Sequence, residues 1–92
     1  MKAIWNNVVI ADSDQTIEIE GNHYFPPKNV NKDYLEESRT HTTSSSMGEA
    51  TYYHVQVNGE VILDAAWSYP DPKEAAKEVR FYIAFGKGVR VE

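Results

Sequence analysis

The sequence predicts an α+β domain that is mainly antiparallel β: a barrel-like or sandwiched sheet of roughly six or seven short strands with one C-terminal helix. Three observations predict it. Turn-forming pairs recur every few residues through most of the chain. Asn58-Gly59 separates two β-rich runs, EATYYHVQV and EVILDAAW. Helix signals at both ends of a segment occur only at about 72–85.

The elements follow in order. Residues 2–5 form a short apolar run, and Asn6-Asn7 suits a tight hairpin turn back into Val8 to Asp12. After a Ser13-Asp14 turn, Gln15 to Glu20 alternates with period two, Ile17 and Ile19 facing in. Gly21-Asn22 breaks that strand. His23 to Phe25 is extended, because Pro26 and Pro27 disfavour helical backbone before them. Asn31 can cap a short helical turn through Asp33 to Glu37. THTTSSS, residues 40–46, is polar and turn-forming and reads as a loop.

Across the Asn58-Gly59 hairpin, Thr51, Tyr53, Val55 and Val57 share one face, with Tyr52, His54 and Gln56 on the other. In the return strand Val61, Leu63, Ala65 and Trp67 share a face, with Ile62, Asp64 and Ala66 opposite. Asp71 is an N-cap candidate for the helix and Pro72 fits its first position. Ala75, Ala76, Val79, Tyr82 and Ile83 make a stripe at helical spacing, and Gly86 or Gly88 can close it. A competing reading ends the helix near Arg80 and turns Phe81, Ile83 and Phe85 into a strand face. Val89 to Glu92 makes a last short strand.

The chain has 92 residues, the size of one domain, 1–92. It has no cysteine, so disulfides, thiolate zinc sites and cysteine catalysis are excluded. No secretory leader and no membrane-length apolar stretch is visible, and a cytoplasmic setting is expected. Fourteen acidic residues outweigh nine basic ones, giving a net charge of -5. Phosphate backbones repel such a chain, and no nucleic-acid partner is expected.

GNHYFPP (21–27), THTT (40–43), ATYYHVQVNGE (50–60), DAAWSYPDP (64–72) and YIAFGKGV (82–89) together resemble a bacterial family known as domain of unknown function 427, also labelled nucleotidyltransferase-like. The resemblance spans nearly the whole chain and implies a compact, mostly β fold with one helix. It implies no established activity. Many members carry Cys-Pro-Trp-Lys-Gly after the Thr-rich stretch; here residues 44–48 are Ser-Ser-Ser-Met-Gly.

Candidate chemistry is sparse. His23, His41 and His54 lack the spacing of paired metal ligands, so neither metal nor cofactor is expected. Asp12, Asp14, Glu18 and Glu20 could supply carboxylates for nucleotidyl transfer. They sit, however, in ordinary turn and strand-face contexts, without a phosphate-binding loop. Asp64, flanked by Leu63, Ala65 and Ala66, draws most interest, because a sheltered carboxylate needs donors. It could accept hydrogen bonds from residues 40–43. Alternatively it lines an aromatic pocket with Tyr24, His41, Tyr53, Trp67 and Tyr69. Two functions follow: a domain binding a small molecule or a protein through that pocket, or a small hydrolase or transferase acting through His41 and Asp64. Ser44, His41 and Asp64 can be written as a triad, but no strand-to-helix nucleophile elbow accompanies them.

Overall fold

A computed structural model describes all residues, 1–92. Nine strands, paired only antiparallel, form three sheets. β1 (Lys2–Trp5), β2 (Val8–Asp12) and β9 (Arg90–Val91) make the first, with β1 central. β3 (Ile17–Ile19) and β4 (Asn22–Tyr24) make a hairpin. β5 (Leu35–Ser44), β6 (Gly48–Val57), β7 (Glu60–Ser68) and β8 (Ile83–Phe85) make the largest sheet, in that order. The sheets do not close into a barrel, and the strands outnumber the six or seven expected.

The turns follow from residues that tolerate positive φ. Asn6 and Asn7 (53° and 62°) join β1 to β2, and Asn58 and Gly59 (52° and 84°) join β6 to β7. Glu20 and Gly21 (53° and 82°) make the same kind of turn between β3 and β4. The break expected at Gly21-Asn22 therefore falls one residue earlier.

The large sheet is a wall between two cores. Ala66, Tyr53 and Phe85 are paired across β7, β6 and β8 and face one side. There Phe25, Ile10, Val55, Val57, Ala65 and Ile83 pack with them beneath the β1–β2–β9 sheet. Phe25 meets Phe85 edge-on, with centroids 5.6 Å apart. Full burial of a ring such as Phe25 is worth about 1.5–3 kcal/mol. The paired Trp67, Tyr52 and Ala84 face the other side. Tyr24, Met47, Ala50, Tyr69, Ala76 and Val79 make that second core. Backbone bonds in both directions between Phe25 and Ile83, 2.8 and 2.9 Å, fasten the chain after β4 to β8.

Three expectations change. The helix at about 72–85 is absent: only a 3₁₀ segment, Glu74–Val79, forms, and Ile83–Phe85 is a strand. Lys73, not Asp71, precedes it and makes no side-chain cap. Its buried side chains are Ala76 and Val79, three apart, which a 3₁₀ turn aligns on one face. Ile83, Ala84 and Phe85 are all buried as the strand that completes the large sheet, and that burial outweighs the local capping signals. The competing reading placed this boundary near Arg80, as observed, although Phe81 (φ 64°) lies outside the strand.

The Thr-rich stretch is strand through Ser44, not loop. Its Thr residues are β-branched, but both faces of this edge strand meet solvent, so no apolar alternation marks it. The helical turn expected over 33–37 shrinks to 3₁₀ at Lys32–Tyr34. Asn31 caps it, accepting the Asp33 amide at 3.1 Å, and β5 starts at Leu35. No helix is long and apolar enough to cross a membrane.

β8 pairs with only Ala66–Ser68, so Glu60–Leu63 of β7 lies on an open edge, where Val61 and Leu63 are 49% and 64% exposed. At the far end of the sheet, Gly48 (φ 106°) starts β6 with its Cα against the Asp71 carbonyl; a Cβ there would lie 3.2 Å from that oxygen. Gly48→Ala is expected to destabilise the fold by about 1–3 kcal/mol, read as a lower urea midpoint. An unchanged midpoint would show that the turn adapts.

Candidate functional site

Asp64 sits where two irregular strands flank a regular one. Opposite Tyr52 on β6, β5 carries three residues, Ser38, Arg39 and Thr40; opposite His54, β7 carries Leu63, Asp64 and Ala65. The backbone of Asp64 is left-handed there, with φ 54°, a conformation Asp tolerates better than most residues. The two bulges meet through side chains. Ser38 Oγ donates to Asp64 Oδ1 at 2.5 Å, and Thr40 Oγ1 donates to Oδ2 at 2.8 Å. Ser38 Oγ also accepts the Thr40 amide at 3.0 Å. The Asp64 amide donates to His54 Nδ1 at 3.0 Å.

The donors to Asp64 thus come from Thr40, within the expected stretch, and from Ser38, two residues before it. Their hydrogen bonds, Ser38 first and Thr40 second, hold the carboxyl below its ordinary value of 3.8. Asp64 is therefore ionised at neutral pH and cannot serve as a general acid there. His54 accepts an amide proton on Nδ1, so its neutral form carries the proton on Nε2. His54 Nδ1 also lies 3.6 Å from Asp64 Oδ1. Ser38, Asp64 and His54 do not make a nucleophile triad, because Ser38 bonds the carboxylate rather than the imidazole. His41 stands exposed on β5 opposite Thr51, with no side-chain hydrogen bond or ion pair, and is not joined to Asp64. Ser44 instead organises the hairpin tip, its Oγ accepting the Ser46 and Met47 amides at 3.3 and 3.2 Å.

Three of the expected aromatics do gather. Tyr24 and Tyr69 lie 6.3 Å apart, and Trp67 Nε1 donates to the Tyr24 hydroxyl at 3.3 Å. Tyr52, which the pocket reading left out, joins them 6.1 Å from Trp67. Gly86 lies under the indole, where a Cβ would come within 3.1 Å of Trp67 Cζ3. Tyr24 and Tyr69 are buried in the second core, and none of the cavities is lined by Tyr24, Trp67 or Tyr69. Burial raises the pKa of both phenols; that of Tyr69, with the neighbouring Tyr24 adding to the effect, is pushed up to about 12.

Tyr53 points the other way and lines a cleft of about 240 Å³ with Lys32, Leu35, Glu37 and Ile83. Glu37 pairs directly with Tyr53 across β5 and β6, and Leu35 lies two residues before Glu37 on the same face. Ile83 is buried at the floor. The Lys32 ammonium, the Glu37 carboxylate and the Tyr53 hydroxyl take part in none of the side-chain hydrogen bonds or ion pairs of the fold. Sequence reasoning found Tyr53 but not its partners, because a helical turn through 33–37 hides the pairing of Glu37 with Tyr53. The other two clefts, of about 310 and 210 Å³, are more open. One lies between Val9–Asp12 and Lys28–Asn31, the other by Asp33, Tyr34 and Gln56–Gly59.

Two pH dependences follow. Asp64 has a depressed pKa in the folded state, so its contribution is present above the ordinary value and fades as pH falls through the folded one. Asp64→Asn should therefore lower Tm at neutral pH, and the two Tm curves should converge in acid. Parallel curves would mean that Asp64 does not carry this dependence. Tyr69 has the opposite sign: its contribution is intact below 10 and lost as pH rises towards about 12. Tyr69→Phe should flatten the loss of Tm in alkali. In a tyrosinate absorbance titration of the native protein, part of the amplitude should appear late.

No curated protein matches the chain. The family model described as "Domain of unknown function (DUF427)" matches residues 1–92. The sequence segments quoted above and this match over the whole chain agree: the protein belongs to the DUF427 family.

Proposed function

We propose that this protein is a small-ligand-binding domain and that the Tyr53 cleft is its site. One observation carries the reading. An ammonium, a carboxylate and a phenol hydroxyl with no partner of their own surround an apolar floor of Leu35 and Ile83. Polar groups placed sparsely around an apolar base are how small-molecule sites fix orientation. The volume, about 240 Å³, suits a ligand below drug size. An acidic, cysteine-free chain fits a cytosolic setting for this role.

The hydrolase or transferase alternative through His41 and Asp64 has less support. Both Asp64 oxygens are already engaged by hydroxyls, and the imidazole beside Asp64 is that of His54. Binding through the Tyr24–Trp67–Tyr69 group would require the second core to open.

A fragment screen followed by amide chemical shifts tests the proposal. Hits should move Leu35, Glu37, Tyr53 and Ile83 together, and Tyr53→Ala, which also lowers Tm because the ring packs on the first core, should weaken them at least about tenfold at a temperature where the variant is still folded. Hits confined to Trp67 and Tyr69, or substrate turnover abolished by His41→Ala, would overturn it.

A further inference from the structure

The two charged residues that line the cleft have opposite signs and come from different elements. Lys32 belongs to the 3₁₀ turn before β5, and Glu37 is the third residue of β5. Between them comes Leu35, and beside Glu37 the Tyr53 ring. Leu35 to Glu37 alone spans about 6.6 Å of strand. Lys32 makes no ion pair with Glu37. Lining the cleft are thus a cation from the turn, the apolar side chains of Leu35 and Ile83, and an anion from the strand, with neither charge in an ion pair.

A ligand complementary to that lining has a carboxylate for Lys32, an ammonium for Glu37 and a short apolar body over Leu35, Tyr53 and Ile83. Resting on the binding reading above, we infer that the Tyr53 cleft takes a small zwitterion whose charges sit at the two ends of an apolar chain, the chemistry of an ω-amino acid. A single anion or single cation leaves one charge of the cleft unanswered. An α-amino acid carries both charges on one carbon and offers no apolar chain between them to cover Leu35, Tyr53 and Ile83. Lys32 and Glu37 are exposed, so each contact adds modest affinity and is screened by salt; their joint effect is orientation and selectivity.

The test titrates the full chain at low ionic strength with ε-aminocaproate, hexanoate, hexylamine, hexanamide and glycine, following the amides of Leu35, Glu37 and Tyr53. ε-Aminocaproate should bind about three- to fivefold more tightly than either hexanoate or hexylamine. Glycine should not bind. Lys32→Met should erase the advantage over hexylamine, and Glu37→Gln the advantage over hexanoate; both positions are exposed, and a matching Tm for each variant confirms an intact fold. If hexanamide binds at these amides as well as ε-aminocaproate does, the zwitterion inference fails while the cleft remains a binding site. If no probe moves these amides, the inference and the binding reading fail together.

Discussion

The carboxylate of Asp64 ties together the two irregular strands of the large sheet. β6 is regular, and both of its neighbours carry a surplus of residues at adjoining positions. Surplus residues leave ladder groups unpaired and bend the strand. Here the bends are answered across β6 by Ser38 and Thr40 on one side and Asp64 on the other, with His54 taking the Asp64 amide. The β7 bulge also sets which way side chains point beyond it. Ala65 and Ala66 both reach the first core, and Trp67 turns to the second. The wall between the two cores, and the cleft on one side of it, therefore depend on this small polar contact.

Much of the fold was legible. Asn6-Asn7 and Asn58-Gly59 announced their hairpins because positive φ has a residue signature. The need of Asp64 for donors was legible from its apolar neighbours. The bulges were not, because Ser38, Arg39, Thr40 and Leu63 carry no mark of a surplus residue. The segment after Pro72 misled for another reason: its helix signals are local, whereas the demand for Ile83–Phe85 comes from β7, which cannot be seen from the segment itself. The cleft was half legible. Tyr53 was named, but its partner Glu37 follows only once β5 is known to begin at Leu35.

Residues 44–47, Ser-Ser-Ser-Met, form the tip of the β5–β6 hairpin. Ser44 accepts two amides there, Ser46 donates to Glu20 Oε2 at 3.1 Å, and Lys73 Nζ reaches the Ser45 carbonyl at 2.9 Å. Met47 is buried in the second core. Hydroxyls, one ammonium and one thioether thus hold together the end of the molecule that joins the β3–β4 turn, the hairpin tip and the 3₁₀ segment.

The open edge of β7 carries a hazard and its own remedy. A flat strand with unpaired amides and exposed Val61 and Leu63 is a template on which other extended chains can assemble. In β7 that stretch ends at once in Asp64, whose left-handed backbone breaks the straight run of donors and acceptors. Glu60 adds a charge at its other end. A stacking partner would find only a few residues in register before the edge twists away. The irregularity that shapes the sheet thereby also limits how much of this edge an extended chain could pair with.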